Sequence, residues 1–243
     1  MKKHIPNLIT CCNLMSGCCA VWAAFHGYFN LAVTMILAGA VFDFFDGMVA
    51  RLLHVSSPIG KELDSLADVV TFGVAPSALL FDMLGISLRH TPWVPTLLGI
   101  GWLAPFVSYI PVIAFGMAAF SAVRLAKFNL DERQTSSFIG LPTPANALFW
   151  CSMAMSGSYH FLSATSYLLL ALALSLMLVA EIPLFALKFK NLSWRDNAVK
   201  YIFLAGCLVL IPLMRTACFA GIVIWYVLLS IVNNLMTARS HKD

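Results

Sequence analysis

The sequence predicts an all-α polytopic membrane protein with about eight transmembrane helices. Hydrophobic residues fill 60% of the 243 positions and charged residues only 11%, and the mean hydropathy is +0.87. These values lie far outside the range of soluble globular chains. The apolar residues also fall into runs of about 20, the length of a helix that crosses a bilayer. No room is left for a separate soluble domain, so we expect residues 1–243 to form a single integral membrane domain.

Eight apolar runs, separated by charged and turn residues, mark the predicted helices. They cover residues 8–27, 31–53, 62–84, 97–124, 144–162, 165–187, 199–214 and 218–236. The fourth run is longer than one crossing requires, and several prolines before and within it predict an external loop or half-helix ahead of the true crossing. These are Pro92, Pro95, Pro105 and Pro111.

The positive charges orient the predicted helices. With eight crossings both chain ends lie on one side, and placing them in the cytoplasm puts all but two of the 15 lysine and arginine residues on that side. The exceptions are Arg89 and Arg215. The basic loop at residues 188–197 is interpreted as an interfacial anchor that faces anionic lipid.

Residues 43–68 concentrate acidic side chains in an otherwise apolar sequence. They hold Asp43, Asp46, Asp64 and Asp68. On helices, the first pair is spaced i,i+3 and the second i,i+4, so each pair lies on one face. The topology places both pairs beside the cytoplasmic turn between the second and third helices. Unpaired like charges in a low dielectric are costly, so a box of four carboxylates implies bound cations, most simply divalent metal ions.

Small and basic residues complete the acidic pattern. It reads Asp-x2-Asp-Gly-x2-Ala-Arg-x8-Gly-x3-Asp-x3-Asp from Asp43 onward. Gly47 and Ala50 lack bulk, so a ligand can approach the helix backbone there. Gly60 permits the turn that brings the acidic faces together, and Arg51 would either neutralise the box or hold a phosphate through two hydrogen bonds.

This pattern resembles the signature of the CDP-alcohol phosphotransferase family, and every fixed position of that signature is filled. The resemblance implies a helical bundle in a prokaryotic inner (cytoplasmic) membrane, with the active site facing the cytoplasm. It also implies a homodimer and a site for two Mg²⁺ or Mn²⁺ ions, which prefer oxygen ligands and leave positions open for phosphate. Carried over by position, Asp43, Asp46 and Asp64 are expected to hold metal, and Asp68 to act as metal ligand and catalytic base.

The nucleotide-linked donor implied by the resemblance needs further contacts. In this family the first helix contributes to the nucleotide pocket, and here it carries Asn7, Thr10 and Asn13. Hydrogen bonds that pack helices together are the alternative role for these three residues. The remaining residues expected to contact the donor are Asp43, Gly47, Ala50, Arg51 and Gly60.

The acceptor alcohol is predicted from other segments. Residues 69–76, 124–129 and 138–144 resemble the branch of the family that uses L-serine. An amino-acid acceptor needs a cation for its carboxylate, and Arg124 and Lys127 are the candidates, although either would also serve to neutralise the donor phosphates. Lys127 departs from the arginine more usual in that branch, and a lysine lacks the planar fork of an arginine.

The resemblance therefore implies transfer of the phosphatidyl group of CDP-diacylglycerol to the hydroxyl of L-serine, giving phosphatidylserine and CMP. One alternative is a family member that uses glycerol phosphate or inositol. From a different class, a divalent-cation transporter would also cluster acids, but near the bilayer midplane. Besides the two substrates, membrane lipids are the expected partners, and no nucleic acid is expected.

Overall fold

The computed structural model describes residues 4–55, 57–130, 138–185 and 193–240. These residues form a helical bundle, which confirms the predicted all-α class. Its α-helices are α1 (His4–Phe25), α2 (Phe29–Leu52), α3 (Pro58–Asp68), α4 (Ala75–Leu88), α5 (Val94–Leu98), α6 (Ala104–Val107), α7 (Gly116–Leu130), α8 (Thr143–Met155), α9 (Ala164–Val179), α10 (Trp194–Met214) and α11 (Cys218–Ser240). A π-helix (Val69–Val74) joins α3 to α4, and 3₁₀ turns lie at Ile110–Phe115, Ser158–His160 and Arg215–Ala217. Two-residue strands, β1 (Phe138–Ile139) and β2 (Pro183–Leu184), pair antiparallel.

Five stretches of the described chain are long and apolar enough to cross a membrane. They are His4–Phe25, Phe29–Leu52, Pro58–Leu88, Ile110–Leu130 and Asn197–Met236. The last stretch covers most of α10 and α11, which pack side by side: a Cβ added to Gly206 would meet Trp225. Helices α8 and α9 are shorter, at 13 and 16 residues. A helical segment thus lies within each of the eight predicted runs, and the polytopic membrane architecture is confirmed.

Several helix ends differ from the predicted ones for local reasons. Helix α3 begins at Pro58 because the Ser57 hydroxyl accepts a hydrogen bond from the Gly60 N–H at 3.0 Å, an N-cap followed by proline. Helix α9 ends at Val179, before Pro183, which has no N–H to continue a helix. The fourth crossing begins at Ile110 after the short helices α5 and α6, as the prolines predicted. The loop predicted as an anchor, residues 188–197, lies mostly outside the described residues.

Small residues bring α1, α2 and the chain after α3 close together. Ala20, Ala23 and Ala24 of α1 are fully buried, and α1 packs along α2. Small side chains let helix backbones approach closely in membranes, where van der Waals packing drives association. Helix α1 also lies close to α2 and α3 near the α2–α3 turn, where its polar residues face the aspartates.

Candidate active site

Three carboxylates meet between α2 and α3. One oxygen from each of Asp43, Asp64 and Asp68 lies within 4.8 Å of the other two. Asp64 and Asp68 are one turn apart on α3 and share a face, as their spacing predicted. All three side chains are intermediate in burial. The opposition of an acidic face of α2 to an acidic face of α3 is therefore present in the structure.

The carboxylate cluster fits a divalent metal ion. Asp64 Oδ1 is buried and has no hydrogen-bond partner. A buried acceptor without a donor is costly, and three adjacent ionised carboxylates repel one another, so a cation bound among them would be strongly stabilised. Carboxylate oxygens are the ligands that Mg²⁺ and Mn²⁺ prefer. Asp43, Asp64 and Asp68 are the residues of the described chain that would hold such an ion.

The fourth aspartate stands apart from this cluster. Asp46 is 6% exposed, and its Oδ2 accepts a 2.6 Å hydrogen bond from the Thr10 hydroxyl of α1. It lines the same cavity as Asp64. Hydrogen bonds to an ionised acceptor are short and strong, so α1 fixes the direction of this carboxylate. The predicted role of Asp46 as a metal ligand stays a prediction.

Helix α1 supplies a second contact to the aspartates. The Asn13 side-chain amide donates to Asp68 Oδ1 over 3.4 Å, and Asn13 is fully buried. Thr10 and Asn13, spaced i,i+3, thus each orient one aspartate of the pattern. Their partners are site carboxylates, whereas Asn7, one turn earlier, lines the neighbouring cavity.

A cavity of about 240 Å³ opens beside the carboxylates. The predicted donor-contacting residues that line it are Asn7, Thr10, Gly47, Ala50 and Gly60. A Cβ added to Gly60 would lie 3.0 Å from Asn7 Oδ1 and 3.0 Å from Ser57 Oγ. A Cβ added to Gly47 would meet nothing within 4 Å. Gly60 therefore leaves room for the Asn7 and Ser57 side chains, and Gly47 keeps the cavity open.

Sequence reasoning missed several residues of this cavity. Val55, Ser57 and Lys61 also line it. The Lys61 ammonium donates to the Asn129 carbonyl oxygen at 3.3 Å, which holds a positive charge at the cavity edge and ties α3 to the end of α7. Its place directly after Gly60 in the acidic pattern was the signal that could have identified Lys61.

The predicted basic residues lie in different settings. Arg124 is 7% exposed, its Cζ lies 5.0 Å from the Phe128 ring centroid, and Asp68 attracts it electrostatically. Lys127 and Arg51 are exposed and are not among the residues that line the described cavity. The structure thus brings Arg124 toward the carboxylates but does not bring Lys127 or Arg51 into the cavity.

The loop before α8 is fixed by the end of α9. The Gly140 N–H donates to the Ile182 carbonyl at 3.0 Å, and the Leu141 N–H donates to the Met177 carbonyl at 2.9 Å. Gly140 has φ +76°, and a Cβ there would lie 2.7 Å from the Leu178 carbonyl oxygen. Only glycine suits both constraints, so this residue anchors the segment that resembles the serine branch.

Comparison with known proteins supplies an independent test of the aspartate pattern. The family model described as CDP-alcohol phosphatidyltransferase matches residues 3–185, which include the whole pattern. The CDP-diacylglycerol–serine O-phosphatidyltransferase of Helicobacter pylori (strain ATCC 700392 / 26695) is 31% identical over 230 residues, 91% of this chain and 88% of the relative. A Bacillus subtilis (strain 168) protein of the same name is 34% identical over 158 residues, 65% of this chain and 78% of the relative. The archaetidylserine synthase of Methanothermobacter thermautotrophicus is 29% identical over 184 residues, 74% of this chain and 69% of the relative. The predicted resemblance is confirmed: the chain belongs to the CDP-alcohol phosphatidyltransferase family.

Proposed function

We propose that this chain transfers the phosphatidyl group of CDP-diacylglycerol to the hydroxyl of L-serine, giving phosphatidylserine and CMP. The observation that carries the proposal is the cluster of Asp43, Asp64 and Asp68 beside a cavity, in a member of this family. The choice of serine is supported by the relatives, because the similarity to a CDP-diacylglycerol–serine O-phosphatidyltransferase extends over 91% of the chain.

The proposed step is a direct displacement at phosphorus. The serine hydroxyl oxygen forms a bond to the phosphorus that bears the diacylglycerol, and the bond from that phosphorus to the CMP oxygen breaks. The hydroxyl proton passes to Asp68, which the Asn13 amide orients. Because phosphoryl-transfer transition states are loose, holding the hydroxyl in line is most of what the base has to achieve.

The carboxylates have a second proposed role as metal ligands. Asp43, Asp64 and Asp68 would hold the divalent ions, and Asp46, directed by Thr10, would complete the set. When bound, two Mg²⁺ or Mn²⁺ ions would neutralise the diphosphate and stabilise the charge on the departing CMP.

The two substrates have separate proposed contacts. The cavity lined by Asn7, Thr10, Gly47, Ala50 and Gly60 would take the cytidine-linked part of the donor. Arg124 would bind the serine carboxylate, since it is buried and lies near Asp68, the proposed base. Arg51 and Lys127 would act from exposed positions, Arg51 on the donor phosphates and Lys127 beside Arg124.

The proposed setting is a single catalytic domain, residues 1–243, in a prokaryotic inner membrane, with the site open to the cytoplasm. The support is the excess of lysine and arginine on the face that carries the α2–α3 turn. A soluble amino acid and a lipid-anchored nucleotide can both reach a site at that depth. We also propose a homodimer, which mass measurement of the detergent-solubilised protein would test.

The proposal is tested by following labelled serine into lipid. Purified protein with CDP-diacylglycerol and Mn²⁺ is expected to convert labelled serine into a lipid that comigrates with phosphatidylserine. Asp68→Asn should abolish the conversion with an unchanged thermal unfolding midpoint. Asp82→Asn is the control, because Asp82 is a partly buried aspartate of α4 that is not one of the clustered residues. Full activity of Asp68→Asn would overturn the assigned role of Asp68.

A further inference from the structure

Thr71 is a fully buried polar residue that the proposed step does not use. It lies three positions after Asp68, within the π-helix Val69–Val74. Its hydroxyl donates a 3.1 Å hydrogen bond to the backbone carbonyl of Asn13 on α1. Asn13 is the residue whose amide donates to Asp68. Asp68 and Thr71 therefore contact the same residue, Asn13, one at its side chain and one at its backbone.

The side chain of Thr71 packs against two glycines, one on each neighbouring helix. A Cβ added to Gly17 of α1 would lie 2.5 Å from Thr71 Oγ1, and a Cβ added to Gly39 of α2 would lie 2.5 Å from Thr71 Cγ2. Both distances are well inside van der Waals contact, so a larger residue at either glycine position would displace the Thr71 side chain. The hydroxyl faces α1 and the methyl group faces α2, so both branches of this β-branched side chain are packed against a neighbouring helix.

The orientation of the Asn13 amide follows from its partners. The Asn13 NH₂ group donates to Asp68 Oδ1, so the amide oxygen Oδ1 of Asn13 points away from that carboxylate. Asn13 Oδ1 is buried without a hydrogen-bond partner, and a Cβ on Gly39 would lie 3.0 Å from it. No hydrogen bond to Oδ1 fixes the amide, so its position depends on the backbone of α1 and on packing. Thr71 supplies the backbone contact.

We propose that Thr71 is a positioning residue for Asp68 and acts through Asn13. The Thr71 hydroxyl fixes the Asn13 backbone at the level of the site, and the Asn13 amide then directs the Asp68 carboxylate. Short π-helical segments are frequent at functional sites, and this one begins directly after Asp68. The inference rests on the proposed function for the role of Asp68 as base, but the geometry does not depend on which alcohol is accepted.

Thr71→Val tests the proposal, because valine keeps the shape of threonine and removes the hydroxyl. We expect kcat to fall about five- to tenfold, the effect of one lost hydrogen bond transmitted to the base. The KM values for serine and CDP-diacylglycerol should change less than about twofold, since Thr71 contacts neither substrate in the proposed site. Thr71→Ser, which restores the hydroxyl, should recover most of kcat. Thr34→Val is the control for removing a threonine hydroxyl away from the site, because the exposed Thr34 hydroxyl donates within α2, to the Asn30 carbonyl.

Gly39→Ala tests the same proposal without removing a hydrogen-bonding group. The added Cβ would push against Thr71 and Asn13 together, so kcat should fall as in Thr71→Val. Gly85→Ala is its control, since a Cβ there would meet nothing within 4 Å. As a readout independent of turnover, Mn²⁺ binding measured by electron paramagnetic resonance should weaken severalfold in Thr71→Val and Gly39→Ala, and not in either control.

The outcomes separate this inference from the proposed function. If wild-type protein uses another alcohol in place of serine, the choice of acceptor is wrong, and the Thr71 comparison is made with that alcohol. If Thr71→Val matches the wild type in both kcat and Mn²⁺ binding, the positioning role is wrong. Equal losses in Thr71→Ser and Thr71→Val would also overturn it, because the hydroxyl would then not be the group that matters.

Discussion

The Thr10 hydroxyl of α1 donates a 2.6 Å hydrogen bond to Oδ2 of Asp46 on α2. One turn further along α1, the Asn13 amide donates to Asp68. Helix α1 contains no acidic residue, yet it sets the direction of two of the four aspartates. The site is therefore built from three helices, although all of its acids come from α2 and α3.

Removing the Thr10 hydroxyl should weaken the site without unfolding the protein. In Thr10→Val, Asp46 loses a hydrogen bond to an ionised acceptor in a buried setting, a loss of about 1.5–3 kcal/mol. We expect kcat/KM for CDP-diacylglycerol to fall roughly tenfold or more, and Thr10→Ser to restore it. Steady-state assays of the three proteins check this expectation. A Thr10→Val variant with wild-type kcat/KM would mean that Asp46 needs no support from α1.

Metal dependence should follow the three clustered carboxylates. EDTA is expected to abolish transfer, and added Mg²⁺ or Mn²⁺ to restore it. Asp43→Asn removes one charged ligand of the cluster and should weaken Mn²⁺ binding by about tenfold or more. Asp82→Asn should leave Mn²⁺ binding unchanged. Titration of Mn²⁺ followed by electron paramagnetic resonance measures both affinities, and equal affinities would contradict the assignment of the cluster as the metal site.

Two glycines of the acidic pattern should respond differently to alanine. A Cβ at Gly60 would crowd Asn7 and Ser57, so Gly60→Ala should lower the thermal unfolding midpoint and also raise KM for CDP-diacylglycerol. A Cβ at Gly47 would enter the open cavity, so Gly47→Ala should raise KM alone. Calorimetry of the detergent-solubilised variants, together with kinetics, separates the two effects. An unchanged KM in Gly47→Ala would argue against donor binding in this cavity.

The loop before α8 should be sensitive to substitution at Gly140. Gly140→Ala forces a positive φ on alanine, at about 1–2 kcal/mol, and adds a Cβ that would lie 2.7 Å from the Leu178 carbonyl oxygen. Gly157 also has a positive φ, but a Cβ there would meet only His160 Cδ2, at an ordinary contact distance of 3.9 Å. Gly157→Ala should therefore lose only the stability that the positive φ costs alanine. Thermal unfolding of both variants is the measurement. Gly140→Ala should be clearly the less stable, and equal stability would contradict the anchoring role of Gly140.

Much of the site could be predicted because it follows from spacing on helices. The positions of Asp64 and Asp68 on one face required only the helical period. The different setting of Asp46 was not predictable, since its hydrogen bond to the Thr10 hydroxyl is a tertiary contact. The i,i+3 spacing of Thr10 and Asn13 on an apolar helix did indicate a polar face, but not which aspartate each residue contacts.

The positions of the helices could be predicted, because hydropathy determines them. The helix ends and the π-helix were missed, because they depend on local backbone geometry. Each predicted apolar run contains a helical segment, because a helix that crosses a bilayer needs about 20 mostly apolar residues. The early start of α3 had a visible signal in Ser57 and Pro58. The π-helix after Asp68 had no visible signal in the sequence. Thr71, within it, packs against Gly17 of α1 and Gly39 of α2, and these tertiary contacts do not follow from local sequence. The exposed position of Arg51 was likewise invisible, because family signatures record residue type and not orientation.

The measurement that tests the central claim most directly is CMP release by purified protein supplied with CDP-diacylglycerol, Mn²⁺ and one alcohol at a time. The alcohols are L-serine, glycerol 3-phosphate and inositol, with a reaction lacking alcohol as the blank. The account predicts CMP release with serine and only the blank rate with the other two. Release with glycerol 3-phosphate or inositol, and none above the blank with serine, would contradict it.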